Sequence, residues 1–118
     1  MILGLYITIL TIEKLYIYKI YMPKLLRVVK SNKAGKKWMA VFKTDSGREK
    51  TTHFGTTGMD DYTITKDKEQ RARYRTRHKK DLRTNDPTRA GMLSYFLTWG
   101  ESTSLRQNIA SYKKRFNL

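Results

Sequence analysis

From Lys24 to Phe54 the apolar and polar positions alternate with the period of two that belongs to strands. Leu25-Leu26-Arg27-Val28-Val29 is rich in strand-forming types, and Ser31 to Gly35 has turn chemistry. Lys36 to Thr44 then places Trp38, Ala40 and Phe42 on one face. Asp45-Ser46-Gly47 reads as a hairpin turn, after which Arg48 to Phe54 can return as a partner strand. This pattern predicts a three-stranded antiparallel meander with Trp38 and Phe42 on its covered face.

After Gly55-Thr56-Thr57-Gly58 the period lengthens. Thr65 is positioned to cap a helix that carries Asp67 and Glu69 in its first turn and runs to about Leu82. That helix is almost wholly polar, with Ala72, Tyr74 and Leu82 as its apolar landmarks. A helix polar all round must bind or bridge something to be stable. Asp86-Pro87 reads as a second helix start, leading into the apolar run Ala90 to Trp99 with Gly100 placed to end it. Ser102 or Ser104 opens a last helix whose stripe is Leu105, Ile109, Tyr112 and Phe116. The expected fold is α+β: a short three-stranded β-meander followed by about three α-helices, with an apolar N-terminal extension. Its expected core is Trp38, Phe42, Leu93, Phe96, Leu97, Trp99, Ile109, Tyr112 and Phe116.

Charge sharpens this picture. The chain has 118 residues, 25 Lys plus Arg against 10 Asp plus Glu, and a formal charge of +15. Such an excess favours a polyanion or an acidic protein surface as partner. Cys is absent and His numbers two, which removes thiolate chemistry and leaves too few imidazoles for most metal sites. Residues 66–89 hold ten cations and four acids. The expected contact set is Arg71, Arg73, Arg75, Arg77, Lys79 and Lys80, facing acidic protein or nucleic-acid phosphate and replaceable singly at little cost to stability.

Two divisions follow: residues 1–21 as an apolar extension and 22–118 as a small basic domain. Met1 to Ile12 carries no charge, and Glu13, Lys14 and Lys19 are the ionised side chains before Met22. Twelve residues make ~18 Å of helix, short of a ~30 Å hydrocarbon core. Ile7, Ile9 and Ile12 are candidates for an anchor that dips into a membrane or packs on a partner chain. An accessory segment upstream of Met22-Pro23-Lys24 is the other reading.

No convergent acid, base and nucleophile set is visible, so no catalytic residue, metal ligand or cofactor is expected. His53 beside Phe54-Gly55 and the Asp60-Asp61 pair lack partners at recognisable spacing. Asp61 is expected to turn the chain into the basic helix, and His78 to pack beside Tyr74 or bond an acid.

Several short motifs occur in a fixed order: Thr52-His53-Phe54-Gly55, Asp61-Tyr62-Thr63-Ile64, Tyr74-x-x-Arg77-His78, Asp86-Pro87-Thr88, Ala90-Gly91-Met92-Leu93-Ser94-Tyr95 and Leu97-x-Trp99. With the closing Ser111-Tyr112-Lys113-Lys114-Arg115-Phe116, this run resembles a family of short basic proteins of large icosahedral double-stranded DNA viruses of algae and protists. The resemblance covers roughly residues 36–118 and brings no activity with it. It implies a minor capsid protein on the inner side of the shell, made at cytoplasmic assembly sites. The implied partners are the major capsid protein and other minor capsid proteins, with the inner viral membrane reached through residues 1–21. Nucleic-acid binding in genome packaging is the second reading.

Overall fold

A computed structural model describes residues 23–118. Ile7, Ile9, Ile12 and the rest of the apolar extension lie outside the described residues. The chain is α+β. Strands β1 (Lys24–Lys30), β2 (Lys36–Lys43) and β3 (Glu49–Thr56) form one antiparallel sheet in the order β1-β2-β3. The register pairs Val28 with Ala40 and Trp38 with Phe54, so these side chains share a face with Phe42 and Leu25. A bulge at Leu26 lets Leu25 and Val28 both reach that face although they are three residues apart. The second turn closes as expected, with the Thr44 N–H bonded to the Arg48 carbonyl (2.8 Å) and the Gly47 N–H to the Thr44 carbonyl (2.9 Å).

The helical half departs from the sequence pattern in three places, each for a local reason. The single helix expected over 65–82 is three pieces: α1 (Tyr62–Thr65), α2 (Lys68–Arg77) and a 3-10 turn (Lys79–Thr84). Thr65 is not the cap of the long piece. Its N–H belongs to α1, bonded to the Asp61 carbonyl, while Asp67 accepts the N–H groups of Glu69 (3.0 Å) and Gln70 (3.1 Å). At the far end the Asp81 side chain bonds His78 and the Asp81 N–H bonds the His78 carbonyl (2.9 Å), which tightens the chain into 3-10 geometry.

Asp86-Pro87 does not start a helix. The Asp86 carboxylate accepts both the N–H (2.9 Å) and the hydroxyl (2.7 Å) of Thr88, which fixes a turn instead. Helix α3 begins at Ala90, runs to Leu93 and widens into a π turn over Ser94–Thr98, where the Trp99 N–H reaches back to the Ser94 carbonyl. Helix α4 (Leu105–Phe116) is capped by Ser104, the second of the two candidates.

The core lies between the inner sheet face, the α3–π segment and α4. Leu25, Ala40, Phe42, Phe54, Leu93, Leu97 and Tyr112 form its buried centre, with Trp38, Phe96, Ile109 and Phe116 packed around them. Trp99 is buried elsewhere, beneath α2. Two polar staples close the layers. The Tyr112 hydroxyl donates to the Pro87 carbonyl (2.7 Å), and burial, with the Asp86 charge behind it, pushes that phenol well above its usual range. Asn108, 3% exposed, donates to the Leu97 and Ser102 carbonyls and accepts from the Ser102 N–H. Gly100 is required beside it, because a Cβ there would fall 2.3 Å from the Phe96 carbonyl oxygen and 2.6 Å from Asn108 Cγ.

Removing Asn108 takes away three hydrogen bonds to the Leu97 and Ser102 backbone and empties a buried site, so Asn108→Ala is expected to lower unfolding free energy by about 2–4 kcal/mol in denaturant titrations. Asp86 supplies a pH dependence. Burial raises its pKa, but the Thr88 hydrogen bonds and then the Lys50 and Arg89 charges outweigh that and leave it below the ordinary value. A carboxyl depressed in the fold stabilises fully above its unfolded pKa of ~3.9, and the contribution disappears as pH falls through the folded value. Asp86→Asn should therefore be less stable than the parent at neutral pH and lose stability less steeply below about pH 4 in acid unfolding curves.

Candidate interaction surface and cleft

Helix α2 buries no residue completely, yet it is firmly oriented. Arg71, Tyr74, Arg75 and His78 follow one another at i, i+3, i+4 and i+7 and turn towards the body. The Arg71 Nε–H donates to the Gly100 carbonyl (2.6 Å) and Arg75 Nη1–H to the Trp99 carbonyl (3.3 Å). Both acceptors lie at the C-terminal end of the α3–π segment, where unpaired carbonyls attract cations. Arg75 also sits 4.1 Å over the Tyr95 ring, and Arg71 5.6 Å from the Tyr62 ring. Burial, and then the neighbouring Arg75 charge, lower the Arg71 pKa. Its guanidinium still keeps its charge at any physiological pH.

The six expected contact residues are thus divided. Arg71 and Arg75 are built into the fold. Arg73 and Arg77, at i and i+4 on α2, and Lys79 and Lys80, on the 3-10 turn that follows, are exposed. Ion pairs recorded among the described residues are Arg27–Glu49, Lys37–Asp61, His78–Asp81 and Arg89–Asp86, and none involves these four cations. The helix therefore has a latched side and a free cationic side, although the sequence shows only an unbroken alternation of arginines.

Beside the latch lies a cleft of about 390 Å³ between the Lys36 end of the sheet, the Met59–Asp61 loop, the C-terminal turn of α2 and the start of α3. Phe54-Gly55, Asp61, Tyr74, Arg77-His78, Gly91, Ser94 and Trp99, all members of the ordered motif run, line it together. Three rings stack in one wall: Trp99 on Tyr74 (4.3 Å, 7° between planes) and Tyr74 on His78 (4.1 Å, 22°). Burial raises the Tyr74 pKa despite a hydrogen bond from Ser94 that opposes it. His78 does both things foreseen for it, stacking on Tyr74 while its Nδ1 lies 3.1 Å from Asp81 Oδ2.

Asp61 caps the short α1, accepting the Thr63 N–H, and not the basic helix it was expected to lead into, which Asp67 caps. It is also the acid of an unforeseen ion pair. Lys37 Nζ donates to Asp61 Oδ2 at 2.8 Å and to the Met59 carbonyl, with the two side chains 15% and 3% exposed. Lys37 reaches it by lying across Gly55, where a Cβ would stand 3.4 Å from the lysine stem. His53 is engaged elsewhere, 2.7 Å from the Ser31 hydroxyl. Among the described residues no cluster of three His, Asp or Glu side chains could hold a metal ion, and no helix is long and apolar enough to cross a membrane.

Fold and surface together define a small α+β protein that displays one cationic helix face beside a polar cleft. The profile of a family of unknown function (DUF5754) matches residues 26–78, from the first strand to the end of α2, and over that span the chain is similar to it. No curated protein and no solved structure matches the chain.

Replacing the two kinds of arginine should separate their roles. Arg75→Ala is expected to cost about 1–2 kcal/mol through the lost ring and carbonyl contacts. Arg73→Ala should change stability by less than about 0.5 kcal/mol. Paired thermal and denaturant unfolding of the variants measures both.

Proposed function

We propose that this is a non-catalytic structural protein of a large icosahedral double-stranded DNA virus, a minor capsid protein that bridges major capsid capsomers on the inner side of the shell. The observation that carries the reading is the set of exposed cations Arg73 and Arg77 on α2 and Lys79 and Lys80 on the 3-10 turn that follows it, with the helix held in place by the Arg71 and Arg75 latch. Such a set of cations suits the carboxylates of an acidic partner, since arginine forks dock on carboxylates with two bonds each. The resemblance of the motif run to short basic viral proteins supplies the context, with cytoplasmic assembly sites as the place of incorporation. Other minor capsid proteins are its neighbours, and the apolar residues 1–21, Ile7, Ile9 and Ile12 among them, reach an adjacent subunit or the inner membrane. Absence of catalysis fits the cleft chemistry, because Lys37 is bound to Asp61 and His78 to Asp81 in local pairs.

A second reading, packaging of nucleic acid, is favoured by the same one-sidedness, since a basic face opposite an anchored face also suits a phosphate backbone. Fractionation of disrupted particles separates the two. The protein is expected to remain with the shell after genome release, and Arg73→Gln with Lys80→Gln should weaken capture by purified major capsid protein at low salt. Departure with the DNA, and an affinity for duplex whose logarithm falls by about 0.9 per neutralised phosphate with log salt, would replace the capsid reading with the packaging one.

A further inference from the structure

We infer that the cleft beside α2 receives an acidic side chain from an extended segment of a partner protein, with Arg77 and Lys36 holding its carboxylate. This deepens the docking role proposed above and rests on it, adding a specific contact to a general electrostatic one.

The argument begins with the charges that line the cleft. Lys36, Lys37 and Arg77 line it together with Asp60, Asp61 and Asp81, so its formal charge is balanced with His78 neutral. A balanced cleft does not draw in a polyanion as the open cationic face of α2 does. The groups are not equally free, however. Asp61 is committed to Lys37 and to the first turn of α1, and Asp81 to His78. What remains is Lys36 and Arg77, two cations without a recorded ion-pair partner, and the exposed carboxylate of Asp60.

Two donors of positive charge and one acceptor match a peptide that brings one carboxylate and a backbone N–H. They do not match a phosphate chain, which brings only acceptors along its backbone and would be repelled by Asp60. The walls agree with an aliphatic acid. Phe54, Tyr74 and Trp99 supply apolar surface for the methylene groups of a glutamate. At Gly91 a Cβ would meet the Asp81 Cβ and Cγ at 3.0 Å, so the glycine lets Asp81 pack closely on α3 at the cleft wall. Arg77 is both exposed and part of the cleft lining, so a segment drawn in by the exposed cations would meet the cleft there.

The test uses the full chain, a short glutamate-containing peptide, its glutamine counterpart and a duplex oligonucleotide of equal charge. Trp99 lines the cleft, so its emission reports occupancy alongside calorimetry. The expected result is binding of the glutamate peptide, with affinity down about tenfold or more for the glutamine peptide, for Arg77→Gln and for Lys36→Gln. Lys113→Gln and Lys114→Gln, exposed on α4 and absent from the cleft lining, should leave that peptide's affinity within about twofold. Lys36 comes from the sheet and Arg77 from α2, so one variant still tests the site if the other fails to fold. Equal losses from all four variants, or equal binding of both peptides, would overturn the cleft assignment while leaving the docking role intact. Binding of the duplex and of neither peptide would overturn both.

Discussion

Two guanidinium groups hold a helix without a fully buried residue against the body of this protein. Arg71 and Arg75 reach the carbonyls of Gly100 and Trp99, which lie at the end of a helical segment and have no helical partner of their own. Each contact answers two needs, since the carbonyls gain charge-assisted donors and the helix gains a docking point that hydrophobic burial does not supply. The Trp99–Tyr74–His78 stack and the Arg75–Tyr95 contact complete the seam. Everything on the outer side of α2 takes its orientation from that seam. The π turn belongs to it as well, because its wider winding ends in the carbonyls that the arginines cap.

The other half of the molecule is tied by the polar groups of a short loop, residues 86–88. The Thr52 hydroxyl donates to the Thr88 carbonyl (2.7 Å), and Lys50 donates to the Thr88 hydroxyl (2.9 Å). From the opposite side Tyr112 donates to the Pro87 carbonyl. Residues 86–88 thus sit between β3 and α4 as a polar bridge, with the Asp86 carboxylate setting its shape. Asn108 does the equivalent work at the other end of α4. In a chain with so small a core, these satisfied polar links fix which way the layers face each other, because each buried group must find its particular partner.

The meander was legible because its signals are local and agree with one another: alternation in β2, a turn at Asp45–Gly47 and a returning strand. The amphipathic stripe of α4 was legible for the same reason. What escaped were choices between competing side-chain bonds. Thr65 and Asp67 are both sound caps, and the carboxylate that takes two N–H groups prevails. Asp86-Pro87 has the look of a helix start, but Thr88 captures the carboxylate. The inward face of α2 had a readable period at Arg71, Tyr74, Arg75 and His78. It was hidden because two of the four positions are arginines, which a hydrophobic pattern counts as outward. The cleft was hidden more deeply, since Lys37 and Asp61 are 24 residues apart and meet only through the sheet register.

Using one helix for both latch and display would couple stability to the docking proposed above. The Arg75 charge works against that of Arg71 on the latched side, while Arg73, Arg77, Lys79 and Lys80 crowd like charges along the exposed side. Isolated, the helix bears this repulsion against the attraction of carbonyls and aromatic rings. An acidic surface laid along the free side offsets the repulsion without touching the latch. By linkage, whatever binds the folded protein and not the unfolded chain stabilises the fold. Under the docking role proposed above, a protein built this way would be least stable alone and would become firmer as the surface it docks on takes shape.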